Sequence, residues 1–314
     1  MAHLINSMAY IGQAPWHGLG NRIAENQPME VWLDQAGMNW SIHSSPVHYV
    51  TDNSAETYHD AKVLYRSDNR QALSVVSNRY QVVQPRQVLE FYRDLVDLGG
   101  FKLETAGVLK GGKKLWALAK TGDKLLLKGN DLVQGYLLLA TACDGTLATT
   151  AQFTSVRVVC NNTLQMATSD CTGAIKVPHS TTFDADKVKQ QLGLGKTAWQ
   201  TFADNMRKLA DTKIHPFEAR NYLVNLMGDP NEHFHNQPNS KNLKRVFDLY
   251  AGQGMGAHYQ SSNDTAWGLL NAVTQFVDHE RRARSTDNRL DSAWFGQGNT
   301  LKLKAFESAL LLAA

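Results

Sequence analysis

The chain has 314 residues and a mass of 34.9 kDa, with 43% hydrophobic and 19% charged residues. This composition excludes disordered and fibrous proteins, and the length predicts either two domains or one large α+β domain. The 32 Lys and Arg residues against 29 Asp and Glu give a net charge of +3, which is too small to indicate a nucleic-acid partner by itself.

Neither a membrane segment nor a disulfide framework is expected. No apolar run approaches the ~20 residues of a membrane span, and residues 1–20 lack the basic start and apolar stretch of a signal peptide. We therefore expect a cytoplasmic protein without membrane contact. The three cysteines, Cys143, Cys160 and Cys171, have no paired spacing, so they predict neither disulfides nor a zinc site.

The first third of the chain combines an irregular segment with short strands and one helix. Residues 1–53 show no clear pattern apart from an amphipathic stretch at 29–38, and short strands are predicted at 61–66 and 72–76. A helix is predicted to begin at Pro85, because apolar residues recur at helical spacing until Gly99 and Gly100.

Two β-hairpins are predicted next. Residues 101–121 contain Gly111-Gly112, a dipeptide that tolerates the positive φ of tight hairpin turns, and residues 136–153 contain Asp144-Gly145 in the same role. The strands of the second hairpin are apolar or small on both faces, which indicates the centre of a sheet that is covered on both sides.

After Thr154 the pattern predicts a helix, because the apolar residues recur at i, i+3, i+4, i+7 and i+8. Its polar face would carry Arg157, Asn161 and Asn162. From residue 183 onward the chain is predicted to be helical, with segments at 184–210, 216–227, 240–251, 264–284 and 300–312.

These elements define an α+β fold. A small antiparallel β-hairpin sheet packs with helices in the N-terminal half, and the C-terminal half is helical. We divide the chain into a mixed core at 1–170, which contains the basic hairpin, and a helical region at 183–314. The alternative is that both belong to one continuous domain.

Positive charge is concentrated in two segments. Residues 101–128 contain seven lysines and two acids, a net charge of +5, and residues 280–304 have a net charge of +3. Solvated surface charge explains such runs in most proteins, but both together also suit a phosphate backbone. The candidate nucleic-acid-binding residues are Lys110, Lys113, Lys114, Arg157, Asn161, Asn162, Arg281, Arg282 and Arg284.

No motif indicates catalysis or a cofactor. Residues 252–257 match G-x-G-x-x-G/A formally, but a predicted helix precedes them where a dinucleotide fold needs a strand. His233 and His235 form an H-x-H pair without the further ligands of a metal site, so we interpret them as part of an exposed loop. We expect no cofactor and no bound metal.

Five segments together resemble the phage/plasmid-like proteins catalogued as domain-of-unknown-function family 932. They are PWHGLG at 15–20, VVSNRYQVVQP at 75–85, KGGKKLWALA at 110–119, SVRVVCNNTL at 155–164 and WFGQGNTLK at 294–302. The resemblance implies a gene of phages, prophages or plasmids, and it supplies no catalytic residues.

The predicted order of helix, hairpin, further strands and helix is also similar to the core of Rad52-like single-strand annealing proteins. In those proteins a basic groove holds single-stranded DNA, usually within a ring or filament of subunits. The resemblance implies that Lys110, Lys113, Lys114 and Arg157 occupy the corresponding hairpin and helix positions.

Three functions remain open. The first is an ATP-independent, homo-oligomeric protein that binds and anneals single-stranded DNA during recombination, with lysines and arginines on the phosphates. The second is an adaptor or inhibitor that binds a host protein. The third is a metal-dependent nuclease that uses His and Asp residues.

Overall fold

A computed structural model describes residues 5–12, 20–99, 101–157, 162–165, 174–192 and 195–314. The fold is α+β, as predicted, with antiparallel strands mostly in the N-terminal half and helices toward the C-terminus. Its described strands are β1 (Ile5–Tyr10), β2 (Asn21–Arg22), β3 (Ile42–Val50), β4 (Ala55–Arg66), β5 (Ala72–Ser77), β6 (Lys102–Leu109), β7 (Lys114–Leu127), β8 (Asp131–Ala142), β9 (Thr149–Arg157), β10 (Asn162–Gln165) and β11 (Ala174–Val177).

The described α-helices are α1 (Met29–Gln35), α2 (Pro85–Gly99), α3 (Ala185–Leu192), α4 (Gly195–Asp211), α5 (Pro216–Met227), α6 (Ser240–Asp248), α7 (Ala266–Gln275), α8 (Thr286–Phe295) and α9 (Gln297–Leu312). Short π-helical turns follow α6 at Leu249–Gln253 and α7 at Phe276–Glu280. Within the described ranges, no helix has the length and apolar character needed to cross a membrane.

The chain forms two compact units, and neither is a single stretch of sequence. Unit 1 contains Met1–Gly122, Tyr136–Phe153 and Ala174–Leu194, whereas unit 2 contains Asp123–Gly135, Thr154–Gly173 and Gly195–Ala314. The predicted division of the chain between residues 170 and 183 is a statement about which parts fold independently. It stays a prediction.

Eight described strands form one sheet in the order β10-β9-β8-β7-β6-β1-β2, with β11 beside β9. The predicted hairpin at 101–121 is confirmed as β6 and β7, which pair in antiparallel register from Lys102 and Lys120 to Leu109 and Lys114. A short 3-10 turn at Lys110–Gly112 joins them, and the positive φ of Gly111 and Gly112 explains the glycines.

Helix α2 packs against this sheet in unit 1. Its Tyr92 is 1% exposed, and the Tyr92 hydroxyl donates to the carbonyl oxygens of Ala117 (2.8 Å) and Leu137 (3.1 Å) on neighbouring strands. Trp116 is 2% exposed, so it belongs to the core and has no surface on which a base could stack.

Strands β3 and β4 form a long hairpin that extends beyond β5, the third strand of the same sheet. Strand β5 pairs with β4 only between Ala61 and Tyr65, and no side chain from Val47 to Asp60 is buried in the described structure. The prediction that residues 1–53 are irregular is therefore wrong for β3. The periodic signal was absent because both faces of this part of the hairpin are exposed, so its residues do not alternate between apolar and polar.

The predicted helix after Thr154 is also wrong. Residues 154–157 end strand β9, and Asn162–Gln165 pair with them in antiparallel register as β10, with Asn162 opposite Arg157 and Gln165 opposite Thr154. The β-branched residues of this segment favour extended backbone, and here that preference prevails over the helical spacing.

Unit 2 is built around α7, all ten residues of which are buried. The Phe202 ring of α4 lies 6.0 Å from the Phe306 ring of α9, and the Tyr222 hydroxyl of α5 donates to the Ala305 carbonyl oxygen at 2.6 Å. The predicted helix at 264–284 is shorter than expected, because it ends in a π-helical turn before Arg281, and α8 is an additional helix.

Candidate anion-binding site

The basic segment after α7 forms a pocket in unit 2. Arg281 caps the π-helical turn with non-helical backbone angles, and its N–H donates to the Phe276 carbonyl oxygen at 2.6 Å. The chain then continues without helix or strand to Ser285, the N-cap of α8, whose hydroxyl accepts from the Asn288 backbone N–H at 3.2 Å. This local structure turns the chain between two helices and exposes the arginine segment.

Four arginines line the pocket. Three are the predicted residues Arg281, Arg282 and Arg284, and the fourth is Arg289 of α8. The Arg289 Nε donates to the Arg281 carbonyl oxygen at 3.3 Å, which fixes α8 against the start of the arginine segment. The pocket has a volume of about 320 Å³, and its other described lining residues are Val277, Ala283, Asn288, Ser292 and Gln297.

Two acids close to the arginines in sequence are paired with other residues. Glu280 accepts two hydrogen bonds from Arg245, at 2.5 Å from Nε and 3.0 Å from Nη2, and this contact raises the pKa of Arg245. Asp278 accepts a 2.7 Å hydrogen bond from Lys302. No acid is among the described residues that line the pocket, and within the described structure none of its four arginines forms an ion pair.

One donor in this region lacks an acceptor. The Nη1 atom of Arg281 is buried and has no hydrogen-bond partner among the described residues. Buried guanidinium nitrogens in folded proteins almost always donate to something. Arginine forks bind phosphate and carboxylate oxygens in pairs, and the N-terminus of α8 adds a favourable dipole. The arrangement is therefore suited to an anion, and to a phosphate in particular.

The predicted lysines lie in unit 1, at the turn between β6 and β7. Lys113 is exposed and Lys110 is partly buried, whereas Lys114 is only 4% exposed. Elsewhere in the +5 segment, Lys120 pairs with Glu104 at 2.8 Å and Lys128 pairs with Asp211. Much of the charge that the sequence places on this hairpin is thus already compensated or buried.

Arg157 is part of a buried network in unit 2. It is 2% exposed, and its Nε donates to Oδ1 of Asp131 at 2.7 Å. Its Nη2 donates to Ser262 Oγ at 2.7 Å and to the Gly256 carbonyl oxygen at 3.1 Å. Since every side of this guanidinium faces protein groups, its position indicates a structural role, and the predicted exposure of Arg157 on a helix face is wrong.

Asn162 is equally enclosed, at 4% exposure. Its Nδ2 donates to the Asn271 carbonyl oxygen at 3.2 Å and to Thr274 Oγ1 at 3.0 Å, which ties β10 to α7. Asn161 lies outside the described residues. The structure therefore brings together three of the nine predicted site residues, Arg281, Arg282 and Arg284, in the pocket.

A second buried cluster joins β10 to α9. The Lys302 ammonium, 1% exposed, donates to Asp278 Oδ1 at 2.7 Å and to Thr163 Oγ1 at 2.8 Å. Burial lowers the pKa of Lys302, and the carboxylate of Asp278 opposes that effect. Sequence patterns contain no sign of this cluster, because its members are 24 to 139 residues apart.

The other chemical candidates do not form a site. Among the described residues, no group of three or more His, Cys, Asp or Glu side chains is placed to hold a metal ion. Cys143 is 4% exposed, and burial raises the pKa of its thiol to about 12, so the thiolate needed for nucleophilic attack is scarce at neutral pH.

Sequence comparison assigns a family. No curated protein and no solved structure matches the chain. A family model described as Domain of unknown function (DUF932) matches residues 72–294, a range that includes the arginine pocket up to Ser292 and both buried networks except Lys302. Because this match covers well over half of the sequence, the chain belongs to the DUF932 family.

Proposed function

We propose that the protein binds the phosphates of single-stranded DNA and anneals complementary strands without ATP. It acts as a homo-oligomer in the host cytoplasm and serves the recombination of a phage, prophage or plasmid. The observation that carries this proposal is the pocket of four arginines without an ion-paired carboxylate in the described structure. The choice of single strands is motivated by the resemblance of the predicted element order to that of Rad52-like annealing proteins. In the structure, the end of β9 and β10 replace the helix predicted after Thr154.

The mechanism is electrostatic. Each guanidinium that neutralises a phosphate releases condensed counterions, and this release favours binding most strongly at low salt. Contacts confined to the phosphates leave the base edges free, so a second strand can pair with the bound one. Neutralised phosphates also repel that strand less. The exposed Lys113 offers a further cation in unit 1.

The test is a salt series with a labelled oligothymidylate, followed by fluorescence anisotropy between about 50 and 200 mM salt. The pocket variant carries Arg281→Ala, Arg282→Ala, Arg284→Ala and Arg289→Ala. We expect weaker binding, and a slope of log K against log salt that is shallower by about 0.7 for each phosphate that the variant no longer neutralises.

The matched control removes four positive charges that are exposed elsewhere on the chain: Arg22→Ala, Arg79→Ala, Lys208→Ala and Lys241→Ala. It should keep the wild-type slope and the wild-type rate of annealing between labelled complementary strands. Absence of single-strand binding by the wild-type protein at low salt would refute the proposal. Equal slopes for the pocket and control variants would exclude the pocket as the phosphate site.

A further inference from the structure

We infer that the arginine pocket takes a phosphomonoester dianion, such as the terminal phosphate of a DNA strand, in preference to an internal phosphodiester. This inference rests on the proposed function for the identity of the strand. It adds the class of phosphate that the pocket selects.

The first argument is charge. An internal phosphodiester carries one negative charge, whereas a phosphomonoester carries about 1.5 to 2 at pH 7 and presents three strong acceptor oxygens. Four arginines line a pocket of about 320 Å³ with no acid among its described lining residues, and together they carry far more positive charge than one diester neutralises. A dianion compensates this charge better in the same space.

The second argument is shape. A strand that passes over a surface presents its phosphates to a continuous track, but here four arginines line one pocket of about 320 Å³, roughly the size of a small-ligand pocket. The arginines belong to two elements, with Arg281 at the end of the π-helical turn and Arg289 one helical turn inside α8. A terminal group can enter such a cavity without bending the strand through it.

The third argument is the unused donor. Arg281 is partly buried and its Nη1 has no acceptor among the described residues, while Arg282 and Arg284 are exposed. An anion that accepts from Nη1 must therefore reach a buried atom. A terminal phosphate has three free oxygens for that approach, whereas a diester has two and is flanked by sugars on both sides.

The experiment compares affinities of the full-length protein for one oligothymidylate with a 5′-phosphate, a 3′-phosphate or hydroxyl groups at both ends. We expect at least about tenfold tighter binding of one phosphorylated form, equivalent to about 1.4 kcal/mol. Arg281→Lys keeps the charge and removes the fork, so it should reduce the preference to less than about threefold. Arg79→Ala should retain the full preference.

Free pyrophosphate and thymidine monophosphate distinguish the sources of the dianion. Competition by both against the phosphorylated strand supports the inference. If all three strands bind equally and the pocket variant weakens all of them, the inference is refuted and the proposed function stands. If no strand binds but pyrophosphate binds and Arg282→Ala or Arg284→Ala weakens it, the proposed function fails and the pocket chemistry stands.

Discussion

Replacing Arg157 tests whether this residue stabilises unit 2 or contributes to DNA binding. Its guanidinium is 2% exposed and the Asp131 carboxylate is fully buried, with Nε and Oδ1 2.7 Å apart. In Arg157→Met the carboxylate stays buried and keeps only Ser261 and Trp267 as donors. We expect this substitution to destabilise unit 2 strongly and to leave the salt dependence of DNA binding unchanged.

The magnitude follows from the environment. Removing one partner of a buried ion pair costs about 3–5 kcal/mol, because the remaining charge is uncompensated. With a urea m-value of about 1–3 kcal/mol/M, the unfolding midpoint should fall by roughly 1–5 M. The control is Arg207→Met, which removes an exposed arginine paired with Asp204 on α4 and should cost less than about 1 kcal/mol.

The assay is urea unfolding followed by tryptophan fluorescence, because Trp267 belongs to the network. A double-mutant cycle with Asp131→Asn isolates the interaction, and the double variant should be more stable than the sum of the single changes implies, by at least about 1 kcal/mol. A cost for Arg157→Met no larger than that of Arg207→Met would refute the structural role. A shallower salt slope for the folded Arg157→Met protein would instead support the predicted role of Arg157 in nucleic-acid binding.

Two other predictions concern packing and pH. A Cβ at Gly268 in α7 would lie 1.9 Å from the Ser262 carbonyl oxygen, so Gly268→Ala should lower the melting temperature by several degrees; an unchanged temperature would contradict this close approach. Burial raises the pKa of Cys143 from 9.0 to about 12, so the unfolded chain loses this proton first as the pH rises. The free energy of unfolding should therefore decrease above pH ~9, and Cys143 should resist iodoacetamide at pH 8 until the protein is denatured, as peptide mass spectrometry would show. Rapid alkylation of the native protein would contradict its burial.

The elements that could be predicted from the sequence are those whose signals are local. Gly111 and Gly112 indicated the turn between β6 and β7, and Pro85 with its helical spacing indicated α2. The segment after Thr154 failed because the helical spacing was counted across two strands, β9 and β10, that pair with each other. Periodicity in one dimension does not distinguish a continuous helix from two short strands whose apolar residues happen to fall at similar intervals.

The candidate site was predicted only in part for a similar reason. The cluster of arginines from 281 to 284 is visible in the sequence. The sequence does not show that a neighbouring acid pairs with a different residue. Glu280 precedes the cluster directly and would be expected to neutralise it, yet it pairs with Arg245, which is 35 residues away. The burial of Lys114 depends on tertiary packing in the same way.

The segments of the two units alternate along the chain, and this limits where the chain can be truncated or recombined with a related gene. A fragment that begins near residue 183 would carry Asn271, Asp278 and Lys302 but would lack Asn162 and Thr163, which bind them in the intact chain. Buried polar groups would then be left without partners, so we expect such a fragment to express as an aggregate. A crossover between related genes within residues 123–165 would place segments of different origin in both units at once, so we expect recombination to preserve the fold best when it exchanges the whole gene.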